Sequence, residues 1–139
     1  MHKEAAAKAR TILVVEDEVL IRMAVADYLR ECGYRVLEAS NAAEAIKLLD
    51  AQPVDLVFTD VDMPGEMDGF GLAHWVRDHA PGIPVIITSG VPRTAGKAEE
   101  LCKDGPLLDK PYHHQGLSVR INALLASTRQ RHRQQSEAG

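Results

Sequence analysis

Short, wholly apolar runs alternate with amphipathic helical stretches along most of the chain, and no other feature restricts the fold as strongly. Residues 12–15 (ILVV) form a β-branched run that fits a strand buried on both faces, since a half-solvated strand would alternate polar with apolar side chains. Over residues 19–31 the side chains of Leu20, Met23, Ala24, Ala26 and Leu29 recur at helical spacing, and Cys32-Gly33 supplies a stop. Residues 35–39 (RVLEA) are a second strand. Ser40 or Asn41 caps the next helix, whose stripe is Ala42, Ala45, Ile46 and Leu49, ended by Gln52-Pro53. A third strand covers 54–59 (VDLVFT). After the turn-rich MPGEMDG segment, in which Asp68-Gly69 starts a helix, residues 70–79 turn Leu72, Trp75 and Val76 inward. Pro81-Gly82 breaks that helix. A fourth strand (85–87), a weaker helix (94–103), a short fifth strand (106–109) and a last helix carrying Leu117, Ile121, Leu124 and Leu125 complete the series. Five β–α units in succession predict an α/β fold, a parallel sheet with helices on both faces.

With 139 residues, this accounts for one domain over 11–128 and leaves no room for a second catalytic unit. No run approaches the roughly 18 apolar residues of a membrane span, and the charged start MHKEAAAKAR lacks the apolar stretch of a secretory signal. The expectation is a soluble, cytoplasmic protein without membrane insertion. Residues 1–10 contain EAAAK, which reads equally as a helical extension or an engineered spacer. Residues 129–139 read as a polar tail, the fraying end of a helix followed by disorder. Cys32 and Cys102, far apart on helices, suit two reduced thiols better than a disulfide. A formal charge of −4 argues against a broad nucleic-acid surface. The six histidines fall into no metal-binding spacing and read as solvated surface residues, as do Arg129, Arg131 and Arg133.

In an open parallel sheet, ligands bind beyond the carboxyl ends of the strands, so the residues just after each apolar run carry the chemistry. After the first strand stand Glu16, Asp17 and Glu18; after the third, Asp60; after the fourth, Thr88 and Ser89; after the fifth, Lys110. Glu18 reads as a helix-start residue only. Three carboxylates from Glu16, Asp17 and Asp60 brought to about 4 Å would repel by roughly 4 kcal/mol per pair at an effective dielectric near 20. A hard divalent cation relieves that repulsion, and an oxygen-only ligand set with open positions suits Mg²⁺ better than zinc. Beside the cation, Lys110 adds a positive charge and Ser89 or Thr88 a hydroxyl; an aspartate so placed is a phosphoryl acceptor. Strand alternation lets only one of the two hydroxyls face the site, and Ser89 is favoured.

The stretches ILVVEDE (12–18), FTDVDMPGEMDGF (58–70), PVIITSG (84–90) and LLDKP (107–111) resemble the receiver domain of two-component response regulators, over residues 10–128. The resemblance implies a doubly wound, flavodoxin-like three-layer sandwich whose five-stranded sheet has the order 2-1-3-4-5. It implies Asp60 as phospho-acceptor, Asp17 as direct Mg²⁺ ligand, Glu16 as a ligand through water and Asp62 as a contact through its backbone carbonyl. Ser89, five residues after Pro84, takes the place of the switch hydroxyl, and Lys110, ahead of a cis bond to Pro111, that of the phosphate-contacting lysine. A sensor histidine kinase or a phosphotransfer protein would be the donor, a second protein or a second copy of the chain the recipient of the signal. The chain departs from the family at three places. Gly65-Glu66 stands where one residue is usual, so the loop beside Asp60 should bulge. Leu107 replaces the usual aromatic residue. Val91 is apolar beside the path of the hydrolytic water, which predicts an aspartyl phosphate of at least moderate lifetime. Two other functions fit parts of the pattern. One is an interaction module independent of phosphorylation. The other is a haloacid-dehalogenase-like phosphatase, for which Asp60-Val61-Asp62 has the spacing but lies on the wrong strand.

Overall fold

The computed structural model describes residues 10–103 and 116–138. Within them the elements are β1 (Thr11–Val15), α1 (Val19–Glu31), β2 (Arg35–Ala39), α2 (Ala42–Ala51), β3 (Leu56–Asp60), α3 (Gly69–His79), β4 (Val85–Thr88), α4 (Val91–Lys103) and α5 (Leu117–Ala138). The described strands form one parallel sheet in the order β2-β1-β3-β4, of flavodoxin-like class. The fifth strand expected at 106–109, the Lys110-Pro111 bond, Leu107 and the segment 1–9 lie outside the described residues.

Period-two alternation splits each buried strand between two cores. Ile12, Val14 and Phe58 point to one face, where they meet Val25 and Leu29 of α1, Ala95 and Ala98 of α4, and Leu117 and Ile121 of α5. Leu13, Val15 and Val57 point to the other, against Ala45 of α2 and Leu72 and Val76 of α3. Every residue of β1 is buried. This is why the run ILVV carries no polar position: neither face of the strand meets water.

Local chemistry sets the boundaries. Asn41 caps α2, its side chain accepting from the Glu44 N–H at 2.9 Å, while Glu44 Oε1 accepts from the Ser40 N–H at 2.7 Å. This reciprocal pair satisfies donors that the first turn leaves open. At the end of α1, Gly33 takes φ +101° and Tyr34 N–H reaches back to the Leu29 carbonyl at 3.1 Å. Only glycine adopts that conformation without strain.

Four expectations are corrected. Cys32 and Cys102 are joined in a disulfide, with Cα atoms 5.3 Å apart across 70 residues of sequence. They meet because α4 packs beside α1 and not on the opposite face, a choice that helical periodicity leaves open. Residues 129–138 continue α5 as helix up to Ala138 and do not form a disordered tail. Once nucleated on the core, a helix propagates through good helix formers such as Arg, Gln and Ala without needing an apolar face. Met23 and Leu124, counted in the apolar stripes of their helices, are exposed, and Val25, which the α1 stripe omits, is buried.

Candidate functional site

The register aligns the carboxyl ends of the strands. Val15 lies opposite Thr59, and Asp60 opposite Thr88, so the residues that follow β1, β3 and β4 share one rim. Glu16 and Asp17 leave β1 there, and Asp60 is the last residue of β3. One carboxylate oxygen from each of the three lies within 4.8 Å of the others, and no further cluster of this kind occurs among the described residues. Glu16 is buried, Asp60 half-buried and Asp17 exposed, so the cluster opens to solvent on the Asp17 side.

Backbone contacts hold these side chains. The Glu16 N–H donates to the Ala39 carbonyl at 3.0 Å, Glu16 Oε2 accepts from the Glu18 N–H at 3.0 Å, and the Glu16 carbonyl accepts from Arg22 Nη1 at 3.0 Å. Arg22 also pairs with Glu38 at 3.3 Å. Glu18 occupies the N-cap of α1 without a side-chain capping bond. On the other side, Val61 N–H donates to the Thr88 carbonyl at 2.9 Å, and Gly69 N–H to the Val61 carbonyl at 3.0 Å, closing the loop after Asp60 on itself. A Cβ on Gly69 would stand 2.8 Å from Val61 Cα, so this approach requires glycine. Gly65 at φ +100° turns the loop, with Pro64, Gly65 and Glu66 all exposed. Together with Asn41, Ala42, Ile46 and Met67, these residues line an open groove.

The electrostatics follow from burial. Desolvation pushes Glu16 from 4.5 up to about 7, with further raising by the negative charges of Asp60 and Asp17 and partial relief from the Glu18 N–H. Asp60 is also raised, first by desolvation and then by Asp62 and Asp17, while the N–H groups of Asp62 and Val61 oppose the shift. A buried carboxyl held partly protonated beside two more acids is a site short of positive charge. The donor set fits Mg²⁺: it is oxygen-only and open on one side for water or phosphate.

Asp62 is exposed in the loop two residues beyond Asp60, and its side chain is not in the cluster. The two candidate hydroxyls separate. Thr88 is buried, with Oγ1 2.9 Å from Thr94 Oγ1. Ser89 is exposed at the rim in a cleft with Val61, Phe70, Ile87 and Arg93. Lys110 lies outside the described residues. Arg22 and Thr94 escaped the sequence reading: Arg22 steadies the Glu16 backbone, and Thr94 lines a small cavity with Glu16, Ile21, Asp60, Gly90 and Val91. Arg22 carried a usable signal, since it sits within the first turn or so of the helix that follows the acid pair.

Comparison with known proteins agrees with this arrangement. The family profile of the response regulator receiver domain matches residues 12–122. An NtrX-like response regulator of Rickettsia bellii is 34% identical over 111 residues, 78% of this chain but 23% of its own length. The chain thus spans about a quarter of that relative and of its counterparts in three other Rickettsia species. The response regulator receiver protein CpdR of Brucella abortus is 31% identical over 117 residues, 84% of this chain and 97% of CpdR. Among solved structures, the response regulator TrrA of Thermotoga maritima in complex with Mg²⁺-BeF superposes with a TM-score of 0.56 at 28% identity, over 83% of this chain and 98% of TrrA.

Proposed function

The chain belongs to the response regulator receiver family, and from that premise we propose that it accepts a phosphoryl group from a histidine kinase or phosphotransfer protein onto Asp60. The observation that carries this reading is the convergence of Glu16, Asp17 and Asp60 within 4.8 Å at the rim of the sheet. An Asp60 carboxylate oxygen attacks phosphorus, the N–P bond of the donor phosphohistidine breaks, and its electron pair stays on the imidazole nitrogen. Asp17, Asp60, Glu16 through water and the Asp62 carbonyl would hold Mg²⁺, which when bound would supply positive charge against the phosphoryl oxygens. The Mg²⁺-BeF complex of TrrA supports this metal assignment by likeness.

The chain's own groups do the rest. Ser89 donates its hydroxyl to a phosphoryl oxygen, and Lys110 supplies a point charge. The added negative charge draws both toward Asp60 and shifts the loops after β3 and β4. The surface formed by α4, the fifth strand expected at 106–109 and α5 then presents a different face to a protein partner or a second copy of the chain. The proposed setting is the cytoplasm, where a histidine kinase or phosphotransfer protein would meet the chain.

The test is incubation with acetyl phosphate or beryllofluoride and Mg²⁺, comparing the wild type with Asp60→Asn by intact mass and two-dimensional NMR. With acetyl phosphate the wild type gains one phosphoryl group, and with either reagent its rim resonances shift, whereas Asp60→Asn does neither. Unchanged mass and spectra in the wild type refute the phospho-acceptor reading and leave an interaction module.

A further inference from the structure

The two helices that wall the acidic cavity are tied together at their far ends. α1 starts just past Glu18 and contributes Ile21 to the cavity; α4 starts just past Gly90 and contributes Val91 and Thr94. Each helix has 13 residues, so each runs about 20 Å from the rim to its C-terminal end. There Cys32, the C-cap of α1, is bonded to Cys102, the penultimate residue of α4. The Cα separation of 5.3 Å lies within the range that a disulfide spans without backbone movement.

α4 is anchored mostly by small side chains and a few polar ties. Its buried side chains are Thr94, Ala95, Ala98 and Cys102, all small; the larger Val91 and Leu101 are only partly buried against the core, and Gly96 lies in its interior. Small side chains bury little apolar area and glycine weakens a helix, so packing anchors α4 less firmly than leucines would. Besides the disulfide, the C-terminal half of α4 is tethered by the Tyr34 hydroxyl, which donates to the Leu101 carbonyl at 2.6 Å, and by Glu99, whose Oε2 accepts from the Leu117 N–H of α5 at 2.7 Å. Near the rim, the Thr88–Thr94 hydroxyl contact holds the other end.

We propose that Cys32 and Cys102 form a thiol–disulfide switch that sets how firmly α4 is clamped to α1 and, through the helix starts, how well the acidic cavity is organised. The co-reactant for closure is a low-molecular-weight disulfide or a protein disulfide, and for reopening the corresponding thiol or dithiol. On closure, one cysteine thiolate attacks a sulfur of the disulfide and expels one thiolate, giving a mixed disulfide. The second cysteine attacks the protein sulfur of that bond and expels the other. In total two protein thiols lose two electrons and two protons, and the co-reactant disulfide gains both as two thiols. Reduction reverses these steps. The clamp stands on the geometry alone; its effect on Mg²⁺ rests on the metal-binding reading given above.

The full chain is prepared oxidised with glutathione disulfide and reduced with dithiothreitol, with alkylation and intact mass counting free thiols. Amide hydrogen exchange of α4 and Mg²⁺ titration by calorimetry are then run on both forms. The oxidised form should show no alkylatable thiol and the reduced form two. Exchange in α4 should rise about tenfold or more on reduction, and Mg²⁺ should bind several-fold more weakly. Cys32→Ser/Cys102→Ser should behave like the reduced form and ignore dithiothreitol; the reduced wild type serves alone if that variant fails to fold. Failure to oxidise, or equal α4 exchange in the two forms, overturns the clamp. Equal Mg²⁺ affinity with unequal exchange overturns its coupling to the cavity. Absence of Mg²⁺ binding in both forms counts against the metal site and the coupling alike, while the exchange data decide the clamp.

Discussion

Replacing Glu16 by Gln should stabilise the metal-free protein at alkaline pH and leave it nearly unchanged in acid. Glu16 is 7% exposed and rises from 4.5 to about 7 on folding, chiefly through desolvation. The native state therefore keeps the proton to higher pH than the unfolded chain does. Stability falls as pH climbs from about 4.5 to about 7 and is level above that, where both states are ionised. At about 1.4 kcal/mol per pKa unit, the shift caps the loss at roughly 3 kcal/mol. Solvent on the open Asp17 side screens part of it, leaving on the order of 1–2 kcal/mol. Glutamine keeps the volume and the oxygen that accepts from the Glu18 N–H, so it removes the charge without opening a cavity. Urea unfolding in EDTA at pH 8 and at pH 4.5 measures both ends. In saturating Mg²⁺ the order should invert, because the wild type gains about 2.7 kcal/mol at 100 times Kd and the glutamine variant less. A variant no more stable than wild type at pH 8, or a gain independent of pH, refutes the claim that burying this carboxyl without a counter-charge is costly.

Gly69→Ala places a Cβ 2.8 Å from Val61 Cα and should cost about 1–3 kcal/mol in denaturant unfolding, with weaker Mg²⁺ binding because the displaced strand end carries Asp60. Asn41→Ala removes the α2 cap and should cost about 1 kcal/mol, with no effect on phosphorylation measured by intact mass. Thr88→Val strands the Thr94 hydroxyl and should lower the melting temperature, at about 1–3 kcal/mol, while phosphorylation persists. Ser89→Ala should do the opposite, slowing acetyl-phosphate labelling at unchanged stability; the reverse pattern in the two variants reassigns the hydroxyl.

β1 was legible because burial on both faces leaves an all-apolar signature in 12–15, and the helices because one face of each repeats. α1 and β2 have the bounds that the pattern predicts. The gathering of Glu16, Asp17 and Asp60 was legible too, since a parallel sheet brings the residues after its strands to one edge. What periodicity leaves open is the side of the sheet on which a helix lands. That choice brought Cys102 to Cys32 and Thr94 to Thr88, and neither meeting has any trace in local sequence. The helical continuation past residue 128 was missed for a related reason: an amphipathic stripe reports packing, whereas propagation from an anchored helix needs only propensity.

At Gly69 two stretches of main chain touch with no side chain between them. The first turn of α3 is thereby seated on the peptide that follows Asp60, like a beam resting on bare masonry. A disturbance of that peptide has no rotamer to dissipate into. It passes straight to the axis of α3 and on to Leu72 and Val76, both fully enclosed in the second core, so the helix must tilt as one body or resist as one.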